Sequence, residues 1–119
     1  MDIQGLNIEE ISNVVDGVIN RFEWGKKVVK IGVFGSFARN EVGYNSDLDL
    51  LINYTPNKKC SDAELLELIK QQIAFESGLS KAFSPIELSI VDSEALDYEE
   101  NKLIKDGIYR DVIWFYEQK

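Results

Sequence analysis

Apolar residues recur along this chain with two alternating periods, and this alternation is what most constrains the fold. In some segments they recur every three to four residues, as on one face of a helix, whereas short runs of β-branched residues indicate strands. In chain order, the periods predict a helix over 8–22, strands over 28–34 and 47–53, a helix from 61 to about 78, a strand over 86–91 and a helix from 93 to about 105. This order predicts the α/β (α+β) class, with a small mixed β-sheet, helices packed on one face and the other face left available.

Local signals mark where the two longer predicted helices begin and end. Asn7 with Glu10, and Ser61 with Glu64, have the spacing of an N-terminal capping box. Gly78 is expected to end the second of these helices, because glycine is favoured just beyond a helix C-terminus. The side chains of that helix that we expect to face inward are Leu65, Leu68, Ile69, Ile73 and Phe75.

The final segment, 108–116, is apolar and aromatic, and its period fits a helix as well as a strand. Gly107 is expected to end the helix before it. Four side chains of this segment are expected to pack within the fold: Ile108, Ile113, Trp114 and Phe115. The alternative is an exposed surface for a partner or for a second copy of the chain.

The composition excludes several kinds of catalytic site. The chain has 119 residues, which fits one domain over residues 1–119, and it contains no histidine. Histidine general bases, Ser–His–Asp triads and Cys–His pairs are therefore excluded. Cys60 is the only cysteine, so an intramolecular disulfide is also excluded. A cytoplasmic location is expected from this cysteine usage.

The charge balance bears on the kind of partner. With 13 basic and 21 acidic residues the net charge is −8, which argues against direct nucleic-acid binding, because that depends on Lys and Arg neutralising phosphates. Divalent cations or a basic protein are better partners for such a chain. No apolar run approaches the roughly 20 residues of a membrane-spanning helix. Residues 1–4 lack the basic and apolar regions of a signal peptide, so no membrane association is expected.

Three acidic residues have the same phase on two predicted strands. Asp47 and Asp49 are two residues apart and therefore point to the same side of a strand, and Glu87 has the corresponding phase on the third strand. If these strands are neighbours, the three carboxylates converge and would repel each other unless a cation neutralised them. Mg²⁺ prefers such oxygen ligands and shares them with substrate phosphates. The alternative for the aspartate pair alone is a solvated pair of charges on an edge strand.

A glycine–serine turn precedes these carboxylates. Gly35 and Ser36 directly follow a predicted strand and precede a helical turn, where backbone amides can hold phosphate oxygens. Arg39, one turn further on, could meet a phosphate or pair with a carboxylate. Taken alone, the same residues fit an ordinary turn at the end of a strand with an exposed arginine.

Together the two motifs carry a family resemblance. Gly35-Ser36-Phe37-Ala38-Arg39, followed by Ser46-Asp47-Leu48-Asp49-Leu50, resembles the GSxAR…SDxDL signature of the nucleotidyltransferase superfamily that includes DNA polymerase beta. The length of the chain is similar to that of its minimal nucleotidyltransferase (MNT) branch. The resemblance implies a nucleotidyltransferase-like fold, nucleotide binding by Gly35, Ser36 and Arg39, and magnesium bound by Asp47 and Asp49. Glu87 stands where the family has its third carboxylate, usually an aspartate in the minimal branch, and it could bind metal or act as the general base.

The resemblance also implies a reaction and a partner. Members of the minimal branch resemble the antitoxins of toxin–antitoxin modules whose partner is a HEPN protein, and their described chemistry is transfer of AMP from ATP to a tyrosine of that partner. We therefore expect a magnesium-dependent nucleotidyltransferase that acts as an antitoxin. Two alternatives remain open, a non-catalytic antitoxin that neutralises its partner by complex formation, and an enzyme that modifies a small molecule.

Overall fold

The computed structural model describes residues 3–118 of the chain. The helices are α1 (Ile8–Arg21), α2 (Gly35–Ala38), α3 (Asp62–Phe83), α4 (Ser93–Asp97) and α5 (Lys102–Asp111), and the strands are β1 (Val28–Phe34), β2 (Leu48–Tyr54), β3 (Leu88–Asp92) and β4 (Ile113–Glu117). Short 3-10 turns at Ile3–Gly5 and Glu23–Lys27 precede and follow α1.

The strands form one sheet in the order β3-β2-β1-β4. β1 is antiparallel to both β2 and β4, whereas β2 and β3 are parallel. The C-terminal end of β1 therefore meets the N-terminal ends of β2 and β3 at one end of the sheet, which we call the upper end. This mixed sheet with helices confirms the fold class predicted from the sequence.

The main core lies between one face of the sheet and the helices α1 and α3. The even-numbered residues of β2 supply the sheet side, as their alternation predicted. The Asn7 side chain accepts a hydrogen bond from the Glu10 amide (2.8 Å) and so caps α1. The fully buried side chains of this core include Ile11, Val15, Leu48, Leu50, Ile52, Phe75, Leu79 and Phe83.

A second, smaller core lies on the opposite face of the sheet. Phe34 and Leu51 point to this face, and Leu96 of α4 is buried against them. Ile108 and Tyr109 of α5 pack around the same cluster. The helices α1 and α3 thus cover one face as predicted, but the second face is not left free along its whole length, because α4 and α5 cover part of it.

The predicted inward face of α3 is wrong over the first half of that helix. Leu65, Ile69 and Ile73 are exposed and Leu68 is half-buried, whereas the fully buried positions from Phe75 onward lie in the second half. A capping box between Ser61 and Glu64 holds the first turn, as predicted. Periodicity identifies the apolar side of a helix, but it does not tell how far the sheet extends beneath it.

The predicted end of α3 at Gly78 is also wrong, since the helix continues to Phe83. A Cβ atom at position 78 would lie 2.7 Å from the Phe22 ring. Gly78 therefore allows a close approach between α3 and the residue that follows α1. Glycine here serves packing and does not end the helix.

The segment after β3 also differs from the prediction. The single helix predicted from 93 to about 105 is divided into α4 and α5, and Gly107 lies inside α5. The aromatic tail is a strand, β4, which pairs with β1 at the edge of the sheet. Ile108 packs against the second core and Phe115 partly against the main core, whereas Ile113 and Trp114 remain exposed. The prediction that these four side chains pack inside is therefore only partly correct. Within residues 3–118, no helix has the length and apolar character needed to cross a membrane.

Candidate functional site

The sequence-predicted site residues lie at the upper end of the sheet, on three neighbouring strands. Gly35 follows β1, Asp47 directly precedes β2, Asp49 is its second residue, and Glu87 directly precedes β3. Asp49 lies opposite Phe34 of β1, and on its other side it is level with Ser89 of β3. Strand pairing therefore brings segments together that are far apart in the chain.

Gly35 and Asp49 are in direct contact, and the contact requires glycine. The φ angle of Gly35 is +72°, a left-handed conformation that side chains with a Cβ atom rarely adopt. A Cβ atom at this position would clash with the Asp49 carboxylate oxygen and would lie 3.1 Å from its Cγ atom. The backbone at the start of α2 is therefore packed against one of the two signature carboxylates, which links the two halves of the motif physically.

The electrostatic surroundings of Asp49 disfavour its charged form. Partial burial is the main cause that raises its pKa above the ordinary value, and the negative charge of Asp47 raises it further. The positive charge of Arg39 acts in the opposite direction. Asp47 itself is exposed. A cation bound between the two aspartates would relieve both the repulsion and the cost of burial.

Glu87 does not complete a metal-holding group with the aspartate pair. Its carbonyl oxygen accepts a hydrogen bond from the Leu48 amide (2.9 Å), which extends the ladder between β2 and β3, but its side chain is exposed. Over residues 3–118 there is no group of three or more acidic, cysteine or histidine side chains that could hold a metal ion. Asp47 and Glu87 each directly precede the paired residues Leu48 and Leu88, so the register places them level, yet the three carboxylates do not form the predicted metal-holding group.

The side chain of Arg39 is held by two carboxylates. Its Nε donates to Glu41 Oε2 (3.1 Å), and its Nη1 donates to Asp111 Oδ2 (2.9 Å) at the end of α5. These hydrogen bonds, first that to Glu41 and then that to Asp111, raise the pKa of Arg39. The hydrogen bond from Arg39 is the main cause that lowers the pKa of Asp111. Ser36, in the first turn of α2, is half-buried.

A cleft of about 430 Å³ opens beside this site. One wall is the segment Tyr44–Asn45–Ser46, which leads into Asp47, and the other is the segment Pro85–Ile86–Glu87, which leads into β3; Ile3 also lines it. Tyr44 is 79% exposed. The cleft therefore adjoins the β3 side of the upper end, whereas Gly35 and Ser36 lie on the β1 side.

Sequence reasoning missed two residues of this region, Asp111 and Tyr44. Asp111 meets Arg39 across 72 positions of the chain, and no local pattern indicates such a pair. Tyr44 lies in a turn that residues Gly43 and Ser46 close. The Gly43 amide donates to Ser46 Oγ (2.7 Å) and the Ser46 amide donates to the Gly43 carbonyl (3.2 Å). Gly43, Asn45 and Ser46 are residue types that favour a turn, but none of them indicates that Tyr44 lines a cleft.

Comparison with known protein families gives one match over most of the chain. Residues 15–114 match the family described as Nucleotidyltransferase domain. Two proteins of Methanocaldococcus jannaschii with the name "Putative protein adenylyltransferase" are similar in sequence. One is 30% identical over 88 residues, covering 74% of this chain and 77% of that protein. The other is 27% identical over 109 residues, covering 91% of this chain and 97% of that protein.

Solved structures resemble the fold over nearly the whole chain. A structure described as a minimal nucleotidyltransferase has a TM-score of 0.53 at 23% identity and covers 92% of this chain and 96% of its own. A chain of the toxin–antitoxin MntA–HpeT has a TM-score of 0.53 at 15% identity, and the match covers 96% of this chain and 75% of that chain. A toxin–antitoxin solved with AMP-PNP has a TM-score of 0.50 at 15% identity, and the match covers 91% of this chain and 74% of that chain. At these identities the likeness concerns the fold.

Proposed function

This chain belongs to the nucleotidyltransferase domain family and is a nucleotidyltransferase, and we propose that it transfers AMP from ATP to a hydroxyl group of a partner protein. The observation that carries the proposal is the contact between Gly35 and Asp49 at the upper end of the sheet. This contact places a turn suited to binding phosphate next to a carboxylate suited to binding a metal ion. Nucleotidyl transfer needs both groups at one reacting phosphate.

Gly35, Ser36 and Arg39 hold the phosphates of the nucleotide in this proposal. The left-handed Gly35 lets a phosphate approach the backbone closely, and the Ser36 hydroxyl adds a donor beside it. Arg39 reaches the same region, because its charge acts on Asp49. Its guanidinium has five N–H donors, so a phosphate can be bound while Asp111 keeps its hydrogen bond.

Asp47 and Asp49 would hold Mg²⁺, and the donor set fits this ion. Mg²⁺ is commonly held by one or two carboxylates and completed by waters and substrate phosphates, so a third carboxylate is not required. Burial and the negative charge of Asp47 raise the pKa of Asp49, and a bound cation would offset both effects. When bound, the ion supplies charge neutralisation at the reacting phosphate.

Glu87 is assigned the role of general base. Its side chain is exposed and lines the cleft beside Asp47, and it does not join the aspartate pair. Of the two roles expected from the sequence, accepting the proton of the attacking hydroxyl fits this position better than binding metal. Glu87→Gln should therefore lower the turnover of the transfer reaction while ATP still binds. Full turnover in this variant would exclude the role.

The partner we propose is a HEPN-type toxin, so that the chain acts as an antitoxin in the cytoplasm. Two of the similar folds come from toxin–antitoxin structures, and two relatives have names that specify protein adenylylation. The AMP-PNP in one of these structures supports ATP as the donor. Exposed apolar side chains on α3, Leu66, Ile69 and Ile73, supply surface for a protein contact.

Calorimetric titration with ATP and Mg²⁺ tests the nucleotide site. The double variant Asp47→Asn/Asp49→Asn should lose magnesium-dependent binding and transfer, while its circular dichroism spectrum stays unchanged. The matched control is Asp16→Asn/Asp106→Asn, which changes the net charge equally at two exposed positions and should bind ATP like the unmodified chain. Undiminished transfer by the Asp47/Asp49 variant would contradict the proposed mechanism.

A non-catalytic antitoxin is the second candidate, and the same exposed apolar surface on α3 favours it. In that case the partner would be neutralised by complex formation alone. Inhibition of the partner that survives the Asp47→Asn/Asp49→Asn change would support this second function, and loss of inhibition without loss of the complex would support transfer.

A further inference from the structure

The two carboxylates that hold Arg39 have different surroundings. Asp111 is the last residue of α5, its side chain is 15% exposed, and its Oδ2 atom accepts from Arg39 Nη1 (2.9 Å). Its other oxygen, Oδ1, lies 3.5 Å from Arg110 Nε. Glu41 lies two residues after Arg39, and its side chain is 63% exposed. Within residues 3–118, Arg39 Nε is the only donor to the Glu41 carboxylate.

This difference in burial decides how easily each contact can be exchanged. An exposed ion pair contributes little, because water screens the charges and both side chains lose freedom when they pair. The Glu41 carboxylate can therefore leave at little cost. Asp111 is shielded from water over most of its side chain and has a second arginine beside it, and Ile108 and Tyr109 pack its helix against the second core. Asp111 is therefore the fixed partner of Arg39.

The planar guanidinium determines which N–H groups remain for a phosphate. A phosphate binds arginine best through two parallel N–H donors, and the edge formed by Nε and Nη2 offers such a pair. Glu41 occupies Nε, and among the residues that the structure describes no hydrogen bond involves Nη2. Asp111 holds Nη1, which is not part of this edge. A phosphate at the Nε–Nη2 edge must therefore displace Glu41, while Asp111 can stay in place.

We propose that these two carboxylates act in opposite directions on ATP binding: Asp111 positions Arg39 for a phosphate of the nucleotide, whereas Glu41 occupies the guanidinium edge that this phosphate takes and is displaced by it. The inference rests on the proposed nucleotide site. Arg39 lies close enough to this site for its charge to act on Asp49. Arg39 contacts the substrate in this assignment, and Asp111 is a positioning residue that acts through it.

Calorimetric titration of ATP with Mg²⁺ into the full chain separates the two roles, because the expected changes have opposite signs. Glu41→Gln should bind ATP about two- to fivefold more tightly, the equivalent of one exposed ion pair that no longer has to be broken. Asp111→Asn should bind ATP about three- to tenfold more weakly, because the Arg39 side chain must then be ordered when the nucleotide binds.

A general effect of charge would give a different pattern. Glu41→Gln and Asp111→Asn each remove one negative charge near the site, so charge alone would tighten ATP binding in both variants. Glu41→Asp keeps the charge but is shorter by one methylene; it should bind ATP about as tightly as Glu41→Gln if the contact is what competes. Asp106→Asn is the matched control for Asp111→Asn, because it removes an exposed charge from the same helix, and it should bind ATP like the unmodified chain.

A change of Arg39 itself separates positioning from a structural role of Asp111. Arg39→Lys keeps the charge but lacks the fork of paired donors. On this background Asp111→Asn should weaken ATP binding much less than in the unmodified chain. An equal weakening would show that Asp111 acts through the stability of the fold and would overturn the positioning role.

The remaining contrary results exclude different parts of the proposal. Tighter or unchanged ATP binding by Asp111→Asn, shown to be folded by circular dichroism, would also overturn the positioning role. ATP binding by Glu41→Gln and Glu41→Asp with the affinity of the unmodified chain would overturn the exchange at the guanidinium, and this test stands even if Asp111→Asn fails to fold. No magnesium-dependent binding of ATP to the unmodified chain would contradict the proposed function itself, and the inference with it.

Discussion

Replacing Gly35 by alanine tests the contact on which the site is built. Alanine must either keep a left-handed backbone, which costs roughly 1–2 kcal/mol, or rearrange the turn. Its Cβ atom also occupies space that the Asp49 carboxylate fills, with the Asp49 Cγ atom 3.1 Å away. Crowding of a packed site of this kind costs roughly 1–3 kcal/mol. The expected loss in the free energy of unfolding is therefore roughly 2–5 kcal/mol.

Such a loss is measurable without unfolding the protein. Domains of this size have unfolding free energies of about 5–15 kcal/mol, so Gly35→Ala should remain folded at room temperature. Each kcal/mol lowers the Tm of a domain of this size by about 4 °C, so thermal unfolding followed by circular dichroism should show a Tm that is lower by roughly 8–20 °C. Magnesium-dependent ATP binding should fall in the same variant, because the carboxylate of Asp49 is displaced.

A double-mutant cycle separates the two causes of the loss. On an Asp49→Ala background the crowding disappears, and Gly35→Ala should cost only the roughly 1–2 kcal/mol of the backbone. Gly17→Ala is the matched control, because Gly17 lies within α1 and a Cβ atom there meets no atom within 4 Å. It should stabilise the chain by roughly 0.5–1 kcal/mol. An equal cost of Gly35→Ala with and without the Asp49 carboxylate would refute the contact.

Three further changes test the electrostatic and hydrogen-bonding interactions of the fold. The pKa of Asp49 is raised in the folded chain, so the charged carboxylate opposes folding at neutral pH, and this effect fades as the pH falls through the pKa. Asp49→Asn should therefore raise the Tm at pH 7 in the presence of EDTA, and this gain in Tm should shrink toward pH 3. The pKa of Asp111 is lower in the folded chain than in the unfolded chain. Its ion pair with Arg39 therefore stabilises the folded state at a pH above the unfolded-state pKa, and this stabilisation is lost as the pH falls. Asp111→Asn should accordingly lower the Tm at pH 7 and not at pH 2, and a pH-independent effect would contradict the ion pair. The Tyr54 hydroxyl is largely buried and donates to Glu76 (2.9 Å), so Tyr54→Phe should reduce the free energy of unfolding in urea by roughly 1–2 kcal/mol.

Several features of the site could be predicted because their cause is local. Asp47 and Asp49 were predicted to leave the apolar face of a strand because side chains alternate along it, and Leu48 and Leu50 are indeed buried on the other face. The signature residues also identified the family, which the match over residues 15–114 confirms. Their roles toward ATP and magnesium remain predictions.

Other features depended on contacts that no local pattern records. Gly78 was predicted to end α3, but it serves the approach of the Phe22 ring. Glu87 has the predicted phase and directly precedes the partner of Leu48, yet its exposed side chain lines the cleft and forms no metal-holding group with the two aspartates. Pairing of Arg39 with a carboxylate was one of its two expected contacts, but the sequence did not indicate that this carboxylate is Asp111 at the end of α5.

The sequence by itself determined the features that residues within a few positions of one another fix. These are the helix starts at the caps of Asn7 and Ser61, the apolar face of β2, and the alternation that places Asp47 and Asp49 off that face. The tertiary structure alone decided which segments meet at the upper end of the sheet, how far α3 is covered, and where Glu87 and Arg39 point. The physical reason is that caps and periodicity act within one or two helical turns, whereas strand register and side-chain packing depend on the whole chain having folded.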